Sequence, residues 1–238
     1  MKLTAGLFQS SLGRKYLMAA SGAALVLFVI GHLAGNLQIF LGRDVINDYG
    51  EFLHTRPALV WSARIGLLAM VGIHIWAAIS LSRENRAARP VAYAQWSPTV
   101  ASYASRTMLM SGLIVAVFII YHLLHFTTQT PAVNFTGQDF AAFAEPGEGG
   151  EPRRDVYRMM VVGFGQPLVS LFYVVGVGLL CLHLSHGVSA MFQSLGLKNK
   201  SWGLTLDKAA KAISVAVFVG YASIPAAVLL GLGKEVVK

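Results

Sequence analysis

Val29–Ile39, VIGHLAGNLQI, is the stretch on which the reading of this chain turns. It closes the first long apolar run and places His32 where lipid is expected, with Gly31 and Gly35 one turn apart beside it. An imidazole inside a membrane is costly unless it coordinates, pairs or hydrogen-bonds, so such a residue marks a functional site by default. Three later apolar runs each carry another histidine at matching depth, which turns one oddity into a pattern.

The composition agrees with a membrane setting. Of 238 residues, 55% are apolar and only 13% charged, and the mean hydropathy is +0.59. A spanning helix needs about 20 predominantly apolar residues. The runs predict an all-α membrane protein, a bundle of five transmembrane helices at residues 16–41, 58–82, 105–128, 161–195 and 209–232. We read residues 1–238 as a single transmembrane domain. The first run is too long for a cleaved leader. A polar loop joins the first two spans, and an acidic, Pro- and Gly-containing loop at 129–158 reads as irregular. Pro225 in the fifth span predicts a kink. Cys181 is the only cysteine, which excludes an internal disulfide and a cysteine-ligated iron–sulfur cluster made by this chain alone.

Charge sets the expected orientation. With the N-terminus cytoplasmic and the C-terminus outside, inner segments hold 11 of the 19 basic residues and two acids, Glu84 and Asp207. Outer segments hold eight bases and nine acids. Basic residues collect on the cytoplasmic side of spanning helices, so the net charge of +8 reflects topology and not nucleic-acid binding.

His32 lies 17 residues after Lys15 and His74 17 after Pro57; His122 lies 16 after Arg106 and His183 16 after Pro167. At about 1.5 Å per residue each sits roughly 25 Å along its helix. Alternate spans enter from opposite faces, so His32 and His122 share an outer level and His74 and His183 an inner one, roughly 13 Å apart. Two imidazole pairs from non-adjacent spans suit two stacked haems, and bis-imidazole ligation leaves no open position, which favours electron transfer. Small residues near these positions (Gly31, Ala34, Gly35, Gly72, Ala77, Gly187 and Ala190) predict close backbone approach. A zinc or di-metal site fits less well, because the pairs lie at different levels without an intramembrane carboxylate. His125 and His186 follow at i+3, on the same faces, so spacing alone leaves open which member of each couple ligates. Both lie nearer the membrane surface, where they could meet propionates or a quinone.

The motifs GHLAGN at 31–36, GIH at 72–74, YHLLHF at 121–126, HLSHG at 183–187 and FQSLG at 192–196 carry a resemblance. The chain resembles the single-chain, five-span, dihaem cytochrome b membrane anchor of succinate dehydrogenases and fumarate reductases. That resemblance implies a complex II subunit in a bacterial cytoplasmic membrane, bound to flavoprotein and iron–sulfur subunits on its cytoplasmic face. It would pass electrons through two b haems to menaquinone or ubiquinone and would be no enzyme alone. It also implies His74 and His183 as inner haem ligands and His32 and His122 as outer ones. Within the family, the fourth-span ligand precedes glycines by four and thirteen residues; Gly187 and Gly196 satisfy both for His183.

A quinone site needs an apolar slot with a few polar groups. Outer candidates are Asn36, Glu51, His54 and His125; inner ones are Ser21, Arg106, Ser111 and His186, and the inner side is favoured. Arg14, Lys15 and Arg106 are candidates for pairing with propionates. One alternative is a dihaem cytochrome b anchoring a hydrogenase or formate dehydrogenase. Another, a histidine-relay transporter, would need further intramembrane charges and broken spans, and Arg64 near the outer edge is the only such charge.

Overall fold

The computed structural model describes residues 3–88, 91 and 103–236. Lys2, Arg89 and Lys238 of the charge pattern, and Pro90, Trp96 and Pro98 of the second connection, lie outside the described residues. Among the described residues the protein is all-α apart from one small hairpin, and five of its helices are long and apolar enough to cross a membrane. It is an integral membrane protein. Large apolar side chains such as Leu27, Leu68, Val117, Leu168 and Val219 stand exposed along these helices, an outer surface suited to hydrocarbon.

Helix α1 (Ser11–Asn36) continues as a 3-10 turn to Leu41, α2 is Arg43–His54 and α3 is Pro57–Ala87. Helix α4 (Met108–His122) runs on as a π turn, Leu123–Thr127. Strands β1 (Ala144–Pro146) and β2 (Pro152–Arg154) precede α5 (Val156–Phe164), α6 (Pro167–Ser194) and α7 (Gly203–Leu230). The spans are thus Ser11–Leu41, Pro57–Ala87, Met108–Thr127, Pro167–Ser194 and Gly203–Leu230. The expected fourth span, 161–195, is corrected: the apolar run belongs to two helices. Pro167 has no N–H to extend α5 but is pre-set for a first helical turn, so a new helix begins there. Pro225 lies inside α7, which remains one helix on both sides of it.

Two segments expected to be loops are structured. Residues 43–54 form α2, entered through Gly42, whose φ of +114° suits glycine, with Asp44 in its first turn and His54 in its last, matching the helix dipole. Within 129–158, β1 and β2 pair antiparallel with Glu145 opposite Arg153. Phe140, Phe143, Met159 and Val162 form a small buried cluster there. Asp155 caps α5 by accepting from the Arg158 N–H at 3.0 Å.

The chain divides into two compact units. The first comprises Met1–Val29, Arg64–Leu113 and Leu180–Val215; the second comprises Ile30–Ala63, Ile114–Leu179 and Ala216–Lys238. In the first, α1 meets α3 through Ser11, whose hydroxyl donates to Glu84 at 2.5 Å, and through the Arg14–Glu84 ion pair at 3.4 Å. Lys198 bonds Asp207 at 2.7 Å, linking the turn after α6 to α7. In the second, α2, the hairpin and α5 are tied by charge. Arg43 pairs with Asp155 and, at 2.7 Å, with Glu145. Arg153 reaches Asp48, Asp44 at 2.9 Å and Glu145 at 2.8 Å. Wholly buried Asn47 donates to Glu145 and Asp155 and accepts from the Tyr157 N–H.

Candidate functional site: two facing histidine pairs

Each unit contains one histidine pair. In the first unit His74 of α3 faces His183 of α6, with ring centres 6.3 Å apart and planes at 68°. In the second, His32 of α1 faces His122 of α4, at 5.8 Å and 77°. The couples that residue counting put at common depths are therefore the couples that meet. Among the described residues, no three His, Cys, Asp or Glu side chains gather as a metal-ion site.

Hydrogen bonding fixes the tautomer of His74. His74 Nδ1 lies 3.2 Å from the Met18 carbonyl, which can only accept, so this nitrogen donates. Ser21 Oγ is 3.3 Å from the same nitrogen and spends its own hydrogen on the Leu17 carbonyl at 2.7 Å. Ser111 does likewise at the other ring: Oγ lies 3.2 Å from His183 Nδ1 and donates to the Met108 carbonyl at 3.1 Å. His74 then carries hydrogen on Nδ1 and a lone pair on Nε2, and a Ser111 hydroxyl that donates to Met108 suits the same tautomer at His183. Ser21 and Ser111, expected as quinone donors, are thus placed against histidines.

The residue after each serine completes the arrangement. A side chain at Gly22 would put its first carbon 3.3 Å from His74 Cε1, and one at Gly112 would put it 3.3 Å from His183 Cε1. Gly22 and Gly112 were not singled out by sequence, although the signal was present: Ser-Gly occurs at 21–22 and again at 111–112. The glycines that were singled out behave differently. Gly31 and Gly72 face open space. Gly35 is packed by Tyr49, whose Cε1 a β-carbon there would approach to 2.9 Å, so its smallness admits α2.

Tyr173 of α6 is the other residue that sequence did not identify. Its hydroxyl lies 3.3 Å from His122 Nδ1 and 3.0 Å from His125 Nδ1. Nothing in the spacing of an aromatic in an apolar run distinguishes it from ordinary packing. His125 is wholly buried within the protein, its ring centre 4.0 Å from that of Phe126. His125 Nε2 has no hydrogen-bond partner among the described residues. The reason is that the π turn and the 140–164 segment enclose the end of α4, so depth in sequence does not translate into exposure.

The remaining candidates disperse. Asn36 Nδ2 donates to the His32 carbonyl at 2.7 Å. Arg14 is engaged by Glu84 and by the Gln9 carbonyl. Arg106 and His54 are exposed, and His186 is half-buried one turn beyond His183. Glu51 is half-buried, with one buried oxygen lacking a partner.

Residues 82–221, more than half of the chain, match the family model described as "Succinate dehydrogenase/Fumarate reductase transmembrane subunit". His122 and His183 lie inside the matched region, and His32 and His74 before it. No curated protein and no solved structure matches the chain.

Proposed function

From the premise that the chain belongs to the succinate dehydrogenase/fumarate reductase transmembrane-subunit family, we propose that it is a dihaem cytochrome b anchor. It joins the flavoprotein and iron–sulfur subunits to the membrane and exchanges electrons with menaquinone or ubiquinone. The observation that carries this reading is the two facing imidazole pairs. The pairs stand at 6.3 and 5.8 Å. The donor set fits as well, since an imidazole with hydrogen on Nδ1, as at His74, keeps an Nε2 lone pair for a metal.

His74 and His183 would hold one b haem, His32 and His122 the other. When bound, the two haems would supply one-electron carriage between the iron–sulfur subunit and quinone. The chain's own contribution is to orient the imidazoles through Ser21, Ser111 and Tyr173, to keep water from them with apolar spans, and to leave no exchangeable ligand. The charge pattern supports a cytoplasmic N-terminus and an external C-terminus, with the partner subunits and the His74/His183 pair on the inner side. Quinone access is proposed nearer that pair, where Arg106 and His186 are the polar groups not drawn into the histidine contacts described above.

The purified complex should show b-type bands in a reduced-minus-oxidised spectrum and two haems per chain by direct assay. His183→Ala should remove one haem and His32→Ala the other, whereas His186→Ala should keep both. No b-type bands, or one haem in the unaltered chain, would overturn the reading.

A further inference from the structure

We infer that Tyr173 and His125 are positioning residues for the His32/His122 pair, forming a hydrogen-bonded chain that sets how strongly His122 donates to its metal. The inference rests on the dihaem reading and assigns a role to two residues which that reading does not otherwise need.

The geometry supplies the links of the chain, and ligation by His122 its direction. One phenol hydrogen lies between two imidazole nitrogens, His122 Nδ1 at 3.3 Å and His125 Nδ1 at 3.0 Å. Tyr173 is placed to accept from one and donate to the other. A His122 that ligates through Nε2 carries its hydrogen on Nδ1 and gives it to Tyr173. The phenol hydrogen then goes to His125 Nδ1, and the remaining imidazole hydrogen sits on His125 Nε2.

The surroundings leave few alternatives. Rings packed around Tyr173 include Phe118, Phe126 and Phe164, at 5.4, 5.7 and 5.0 Å, and these have no hydrogen-bonding groups. Tyr121 is also adjacent, but its hydroxyl donates to the Val133 carbonyl at 3.1 Å. The end of the chain is held in place by close packing: a β-carbon at Gly163 would lie 3.0 Å from Phe126 Cε1 and 3.3 Å from His125 Cε1.

A ligating imidazole that donates through its other nitrogen becomes a more basic ligand. An acceptor that is itself donating accepts more strongly. A more basic ligand favours the ferric over the ferrous state, which lowers the potential of the iron it holds. The other pair uses serine hydroxyls that donate to their own helices, so the two pairs should answer to different substitutions.

The test is a redox titration followed by visible spectroscopy, with electron paramagnetic resonance of the ferric complex, after haem assay. Tyr173→Phe should retain both haems, raise one midpoint potential and alter one ferric signal. His125→Phe should raise the same potential by less, and Ser111→Ala should move the other one. The inference fails if Tyr173→Phe leaves both potentials in place or moves the one that Ser111→Ala moves. Should Tyr173→Phe lose a haem, His125→Phe decides: an upward shift supports the chain and no shift overturns it. Absence of b-type bands before any substitution defeats the dihaem reading itself, and this inference with it, and is seen separately from the variants.

Discussion

At the scale of single residues, what distinguishes His74 and His183 is the backbone beneath them. Each ring lies over a glycine that directly follows the serine bonded to its Nδ1, and each glycine has room for a hydrogen and little more. Overpacking such a contact costs about 1–3 kcal/mol and displaces the weaker partner. Gly112→Ala should therefore push the His183 ring by a few tenths of an ångström, lower the melting temperature of the complex and disturb one haem's spectrum while leaving the other's unchanged. Gly22→Ala should act the same way through His74. A complex with native spectrum and stability in both variants would show that the contacts are looser than the 3.3 Å separations imply. The histidines themselves were legible in the sequence because depth along a helix is a matter of counting residues. Their hydrogen-bonding partners were not, because Ser21 meets His74 across 53 positions and Tyr173 meets His122 across 51.

At the scale of elements, the α2–hairpin–α5 assembly departs furthest from what composition suggests. Asp155, with its side chain 1% exposed, is the centre of it. Burial works to raise its pKa, but hydrogen bonds from Arg43, the Arg158 N–H and Asn47, together with the Arg43 charge, outweigh that and leave it below the ordinary carboxylate value. A carboxylate whose folded pKa is depressed stabilises the fold above its unfolded pKa, and that stabilisation is lost as pH falls through the folded value. Amide exchange across Arg43–His54 should hence accelerate on acidification below about pH 4. Asp155→Ala, which leaves one Asn47 amide hydrogen and the Arg158 N–H without their acceptor at a cost of about 1–3 kcal/mol for the orphaned groups, should produce that acceleration at neutral pH. Unchanged protection in the variant would mean that the Phe140–Val162 cluster alone orders the segment. Composition missed this assembly because its stabilising groups, Arg43, Asn47, Glu145 and Asp155, look like loop residues until their partners are known.

At the scale of the whole molecule, the functional reading depends on orientation in the membrane, since the partner subunits must meet the side from which electrons enter. The single buried Cys181 makes labelling direct. In a Cys181→Ser background, Ala142→Cys should react with a membrane-impermeant maleimide in intact cells, and Ser10→Cys only after permeabilisation. The reverse pattern would invert the topology and exchange the inner and outer pairs. The number of spans, their approximate extents and the matching of histidine depths came from sequence alone. Apolar length and rise per residue are local quantities that need no knowledge of neighbours. Tertiary structure decided which polar group holds each imidazole, that His125 is enclosed, that Gly35 serves Tyr49, and that residues 140–164 pack into ordered structure. Those outcomes depend on which helix faces meet, and the meetings join residues dozens of positions apart that no local pattern records.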